Sequence, residues 1–444
     1  MRKFTQPNTN TYAKFGAIAL MFTASAAVAQ DALVHVGTLY TRADAAPKTE
    51  VSLIIADGKV REVRAGLISI SDAGLAAETA LIDWSKSVVL PGLIDSHVHL
   101  TSDKAGVEAQ LNQLTLSPAA QAFNAAVNAR KTLAAGFTTV RNLGDADGVT
   151  LALRDAISAG KVPGPRIMDA GASISATTGH MDSALGFRDD LRPAINTRNN
   201  LCDGADACRK AVRTQIARGA DLIKFASTGG VNSRIGLGLG AQMFEDEARA
   251  IVETAHLYGK RVAVHAHGAD GIALALKVGA DSIEHGTMLD NAGLKLFAAS
   301  KAYYVPTLST INGYMERMRD NPNAYSPAVK QKIMWRIGIT GKAFELAHKN
   351  GVKIAFGTDA GVSLHGRNAD EFELMVKFGM SPQQALMAAT VNAADLLGLA
   401  DQVGALDVGM SADLIALPGD PMKDLQVLKQ VQAVIKSGKL QVGL

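Results

Sequence analysis

LIDSHVHL (residues 93–100) is the stretch on which the reading of this 444-residue chain turns. It continues an apolar run, VVLPG, and carries His97 and His99 one residue apart. Side chains two positions apart on a strand share a face, so both imidazoles can grip one cation. Alone, such a pair is a weak signal. Its position gains weight from four similar placements: Lys224 in DLIKFASTGG, His265 in VAVHAHG, His285 in SIEHGT and Asp359 in IAFGTDAG. All but the last sit at or just past the end of a short apolar run. If these runs are the strands of a parallel barrel, they deliver six candidate ligands to one rim, where barrel enzymes keep their chemistry.

Around these segments, short apolar strands alternate with longer helical patterns. FTTVRNLG precedes LALRDAISAG, DLIKFAS precedes FEDEARAIVETAHLYG, and RVAVHAH precedes GIALALKVGA. DSIEHGT, AGLKLFAAS, YYVPTLS and VKIAFGTDAG continue the series. Repeated βα units imply a parallel sheet with helical crossovers. An open doubly wound sheet is the competing architecture, but it concentrates its site at one switch point. Candidate ligands at the ends of many strands favour an α/β chain built on a (β/α)8 TIM barrel.

The chain exceeds the roughly 250 residues of a typical barrel, which leaves room for a smaller satellite domain. Residues 31 to about 90 alternate apolar runs with turn signals, and Asp57-Gly58 between two such runs is a hairpin signal. SADLIALPG and VQAVIKSGKL close the chain in the same style. The expected division is a β-sandwich domain from residues 30–90 and 403–444, around a metal-dependent barrel over residues 91–402.

The first 29 residues combine Arg2, Lys3 and Lys14 with an apolar stretch from Phe15 to Phe22 and end in Ala27-Val28-Ala29. That is the pattern of a secretory signal peptide, cleaved near Ala29, with export to the periplasm or medium. Removing its three basic residues leaves 42 basic against 42 acidic. The basic balance therefore belongs to the leader, and no nucleic-acid partner is inferred. After residue 30 no segment supplies the ~18 apolar residues of a stable membrane span. Cys202 and Cys208 are the only cysteines; they can close a small loop as a disulfide or remain as two thiols.

Lys224 closes the run DLIKF, where an unpaired ammonium is costly to bury. Burial favours the neutral amine, which is a nucleophile. Imidazole nitrogens mixed with a carboxylate oxygen suit divalent ions such as zinc.

With these residues in place, the chain resembles the amidohydrolase superfamily over essentially its whole mature length. Its nearest likeness is to the binuclear branch of prolidase-like carboxypeptidases and ochratoxin-degrading amidohydrolases. PGLIDSHVH, the TGGV segment at 228–231, Gly179-His180-Met181-Asp182, HGRNADEFELMVKFGMSP from His365, and GALDVGMSADLIAL carry the resemblance. The resemblance implies two divalent metals, with zinc the expected ion, held by His97, His99, Lys224, His265, His285 and Asp359. Lys224 would be carboxylated and bridge both, and Asp359 would act as general base and then acid. The implied substrate is a small amide or dipeptide, and a homo-oligomer is expected. His180, His267, Arg234, His365 and Arg367 are candidate substrate contacts. Thr178 departs from a glycine the branch often carries, and SRIGLGLGAQ is a glycine-rich insertion.

Two other functions are weighed: deamination or ring opening of a cyclic amide within the same superfamily, and a non-catalytic exported scaffold. Deaminases of the superfamily place a glutamate three residues after the fifth-strand histidine, whereas here that position is Gly268. A non-catalytic exported scaffold would not need all six ligand positions filled.

Overall fold

The computed structural model describes residues 31–104, 106–144, 148–233 and 238–443. The leader and Arg234 lie outside them. The chain opens with β1 (Ala32–Leu39), β2 (Lys48–Ala56), β3 (Lys59–Ala65) and the long β4 (Ala80–Pro91). It then alternates helices with β5 (Leu93–Val98), β6 (Phe137–Asn142), β7 (Arg166–Asp169), β8 (Ile223–Ala226), β9 (Val262–Ala266), β10 (Ser282–His285) and β11 (Tyr303–Val305). It closes with β12 (Leu414–Leu417), β13 (Ala433–Lys436) and β14 (Lys439–Val442).

Both ends of the chain contribute to one seven-stranded sheet, in the order β14-β13-β12-β4-β1-β2-β3. Asp57 and Gly58 both take positive φ, 51° and 73°, and join β2 to β3 as the expected hairpin. The expectation is a sandwich; the strands of both ends are hydrogen-bonded in one continuous sheet. The reason is β4: it runs parallel to β1 from Ala80 to Val89 and pairs antiparallel with β12 from Val88 to Pro91. One strand thus stitches the first and last segments into a continuous ladder. Val34, Val36, Leu53, Trp84 and Ile435 cluster on one face, and Leu33, Ile54 and Ala73 on the other.

The middle of the chain forms two parallel sheets, β5-β6-β7 and β11-β10-β9-β8. Every residue of β5, β6, β8, β9, β10 and β11 is buried, as expected of strands covered on both faces. Parallel bridges continue beyond these ladders. Ile174 donates to the carbonyl of Lys224 and accepts from Ala226, linking the segment after β7 to β8. Tyr304 of β11 bonds to Lys353 and Ala355. Ser96 and His99 donate to Phe356 and Ala360, while Asp359 donates to His97. Residues 353–360 therefore bond β11 at their start and β5 at their end. The expected last strand, VKIAFGTDAG, makes only isolated bridges, at Ile354 and Ala360. Asp359 at φ 56° turns the backbone out of the extended region at that end.

Candidate metal centre

The backbone pairing just described assembles the first half of the site. Because Asp359 N donates to His97 O and His99 N to Ala360 O, three polar side chains converge from distant parts of the sequence. Asp359 Oδ1 lies 3.3 Å from His99 Nε2 and 3.6 Å from His97 Nε2. His265, at the end of β9, contributes a ring 4.7 Å from that of His285 at the end of β10. His285 takes φ 69°, which breaks the alternation of β10 at its last residue. The His97 and His285 rings are 5.0 Å apart, which joins the two halves.

Among the described residues, two groups offer ligand atoms within 4.8 Å of one another: His97, His285 and Asp359, and His265, His267 and His285. All five are buried. His267, read from sequence as a substrate contact, thus sits within the imidazole cluster, its ring stacked 5.0 Å from His285.

Lys224 lies in the same pocket at 1% exposure, and its Nζ has no hydrogen-bond partner among the described residues. Burial lowers its pKa to about 8, against the opposing charge of Glu284. Burial likewise holds His97 down to about 4 and keeps His265, His267 and His285 well below the usual imidazole range. These rings are therefore neutral at pH 7 and have lone pairs to donate. Burial would raise Asp359, but the hydrogen bond from His99 and the charge of His97 hold its carboxyl below the ordinary value. The set is a cluster of nitrogen donors, one carboxylate and one buried amine without a partner, and it fits divalent cations of the zinc type.

Around this cluster runs a layer of hydrogen bonds not anticipated from sequence. His97 Nδ1 is 2.8 Å from Glu284 Oε2, and Glu284 Oε1 accepts from Arg141 Nη2 at 2.8 Å and from Ser282 Oγ. Burial opposes ionisation of Glu284, yet Arg141 and His97 outweigh it and bring the carboxyl down to about 2. Asp95 accepts from Thr358 Oγ1 at 2.6 Å, Asn368 Nδ2 at 2.7 Å and the His97 amide at 3.1 Å, bracing β5 against the Asp359 segment. Thr307 and Thr287 hold His285 Nδ1 and His267 Nδ1 at 2.7 and 2.8 Å. Such contacts fix ring orientation and tautomer. The signal for Arg141, Asp95 and Glu284 was available: each is a charge inside an apolar run, the argument that singled out Lys224.

His180 also reaches the pocket, its ring 4.2 Å from that of His265 and its Nδ1 2.7 Å from Ser233 Oγ. Gly230 makes this possible, since a Cβ there would stand 2.1 Å from the His180 ring. Thr178, at the position of the branch's glycine, takes φ 68°, a conformation that glycine adopts without strain. Two candidates go elsewhere. His365 Nε2 faces the carbonyls of Ser102 and His99 at 3.0 and 3.2 Å, because the loop after Asp359 folds back on the end of β5. Arg367 is ion-paired with Glu316 and Asp370 and faces away from the cluster. His35, His256 and His348 lie outside the site, as expected. Cys202 and Cys208 form a disulfide.

The cluster opens into a cavity of about 220 Å³, whose walls add Tyr314 and Arg336 to the histidines. A second space of about 320 Å³, lined by Met181, Asn200 and Lys104, shares His99 and His180 with it. Among the described residues, no helix is long and apolar enough to cross a membrane.

Residues 88–441 match the Amidohydrolase family. Ochratoxinase of Aspergillus niger is 34% identical over 372 residues, spanning 80% of this chain and 76% of that protein. A solved Xaa-Pro dipeptidase with methionine bound in its active site is 37% identical at a TM-score of 0.85, over 93% of this chain and 99% of that one. The crystal structure of A. niger ochratoxinase matches at a TM-score of 0.80 and 30% identity, over 94% of this chain and 96% of that one.

Proposed function

The chain belongs to the amidohydrolase family, and on that premise we propose that it is a binuclear metal enzyme hydrolysing the amide bond of N-acyl amino acids or dipeptides. A C-terminal amino acid leaves, as in a carboxypeptidase or dipeptidase. The observation that carries this reading is the buried Lys224 amine, without a partner, among neutral imidazoles and Asp359. An amine in that state can take up carbon dioxide and become a carbamate, whose oxygens are ligands for two cations. In this reading His97, His99, His265, His285, Asp359 and a carboxylated Lys224 would hold the two ions. His267, held by Thr287, flanks this set. Divalent cations held there would supply Lewis acidity and make water easier to deprotonate.

The chain's own residues do the rest. Asp359 takes the proton of the attacking water at its carboxylate and returns it to the nitrogen of the leaving amine. Its low pKa keeps it ready as the base. Glu284 and Arg141 hold His97 with Nε2 toward Asp359. His180, beside the cluster and half-buried, is positioned to meet the acyl part of the substrate. Support for the substrate class comes from two relatives: an ochratoxinase by name, and a Xaa-Pro dipeptidase whose structure holds a free amino acid.

The fold reading follows the same course. We take residues 91–402 as a (β/α)8 barrel, supported by hydrogen bonds that lead from β5 through both parallel sheets and residues 353–360 back to β5. Residues 30–90 and 403–444 make the second unit. Exposed Val107, Leu111 and Phe123 support a homo-oligomer, and the Cys202–Cys208 disulfide suits an exported protein.

A hydrolysis screen of the zinc-supplemented protein on N-acyl amino acids and dipeptides tests the function. Cleavage with release of the C-terminal residue is expected. Failure on every linear amide, with turnover of cyclic amides or amino-purines, would replace it with the ring-opening or deaminase reading.

A further inference from the structure

The wall of the site cavity holds a charge that no carboxylate among the described residues neutralises. Arg336 lies in the last turn of the helix Pro327–Ile339 and is 4% exposed, yet it lines the same cavity as Asp359, His267 and Tyr314. A guanidinium has five N–H donors. The contact it makes with another side chain is Nη1 to Thr340 Oγ1 at 3.2 Å. Among the described residues no carboxylate reaches ion-pair distance of it; Glu371 and Asp359 act on it only from farther away. The contrast with Arg141 is direct. That arginine, equally buried, has its Nε on Ser96 O, Nη1 on Ser282 Oγ and Nη2 on Glu284. Arg141 is a finished structural pair. Arg336 is not.

A buried guanidinium without a counter-charge is costly, and the helix C-terminus and one hydroxyl recover only part of that cost. An anionic ligand would supply the remainder. Lys332, one turn earlier, adds positive charge nearby while its Nζ is occupied by the carbonyls of Gly230 and Ser233 at 2.9 and 2.8 Å. The ligand's distance from the reacting centre is set by size. Arg336 and Asp359 line one cavity of about 220 Å³, so an anion at Arg336 is only a few bonds from a group at Asp359. In an N-acyl amino acid the α-carboxylate is two bonds from the amide nitrogen, and its planar pair of oxygens matches the guanidinium fork. Arg234 lies outside the described residues, and Arg367 and His365 are held elsewhere.

We propose that Arg336 receives the free α-carboxylate of the leaving amino acid and so selects substrates with an unblocked C-terminus. This rests on the amide-hydrolase reading of the site. Arg336 is a specificity-determining residue; the bond-breaking steps belong to the groups around Asp359.

The test compares wild type, Arg336→Met and Arg336→Lys, each as the full zinc-supplemented chain. Binding of 3-phenylpropionate and its neutral amide is measured by titration calorimetry. Hydrolysis of N-acetylphenylalanine and its C-terminal amide is measured alongside. Removing one partner of a buried charge pair should weaken binding of the acid by about 10²- to 10³-fold, and the acid-over-amide preference in kcat/KM should collapse by the same factor. Arg336→Lys should fall between, because it keeps the charge and loses the fork. It also carries the test should the Met variant fail to fold. An acid-over-amide preference unchanged in both variants overturns the proposal while leaving amide hydrolysis intact. Acid binding that depends on Arg336, in a protein that cleaves no amide, would retain the carboxylate site and overturn the reading of the reaction.

Discussion

Glu284→Gln is the substitution that most sharply separates the network behind the candidate metal centre from the centre itself. Glu284 is fully buried and pairs with Arg141, whose side chain is 3% exposed. Removing the charge leaves the Arg141 guanidinium without its counter-ion, a change that costs about 3–5 kcal/mol in buried pairs. With about 2.1 cal/mol/K of unfolding entropy per residue, a chain of this size should lose roughly 3–6 °C in Tm. The same substitution takes the carboxylate from His97 Nδ1, and loss of such an outer contact typically costs about 10- to 100-fold in metal affinity. Calorimetric melting and metal-competition titration read the two effects separately. The double variant Arg141→Met with Glu284→Leu should regain most of the stability, because no buried charge is left unpaired, but none of the metal affinity. The reasoning is refuted if Glu284→Gln melts within 1 °C of wild type, or if the double variant is no more stable than the single one.

Other predictions follow from single groups. Asp359→Asn should lower kcat by about 10²- to 10⁴-fold, read by initial rates on the best substrate; near-normal turnover would remove Asp359 from proton transfer. Glu371 is buried, and burial raises its pKa from 4.5 to about 7 although the Ser309 and Leu308 amides donate to it. The folded chain therefore holds this proton more tightly than the unfolded one. The resulting loss of stability is absent below pH 4.5, grows as the pH rises to about 7, and levels off above that at about 3 kcal/mol. Chemical denaturation of wild type and Glu371→Gln across pH 4.5–8 should show wild type losing stability relative to the variant over that interval; parallel curves would show that Glu371 ionises freely.

Much of the site was legible because its chemistry sits against an apolar background. A lysine closing DLIKF and histidines ending VAVH and SIEH stand out by residue type, and the βα alternation places them on successive strands. Direction was harder to read than identity. His365 and Arg367 occupy a loop that looks functional, but their partners are carbonyls and carboxylates fixed only when the loop folds back onto β5 and its surroundings. The single terminal sheet was hidden for a similar reason. A period-two pattern says which face of β4 is apolar, not that the strand bonds β1 along one edge and β12 along the other. Arg336 shares a helical stripe with Val329 and Ile333, where a lone arginine reads as an ordinary interruption. Only the cavity beside it shows otherwise.

The central claim is that Lys224 joins two cations in one buried centre, and the metal content of purified wild type against Lys224→Ala tests it most directly. Two divalent ions per wild-type chain are expected, with the loss of at least one, together with amide-hydrolase activity, in the variant. A variant that retains the full wild-type complement of metal would contradict the account.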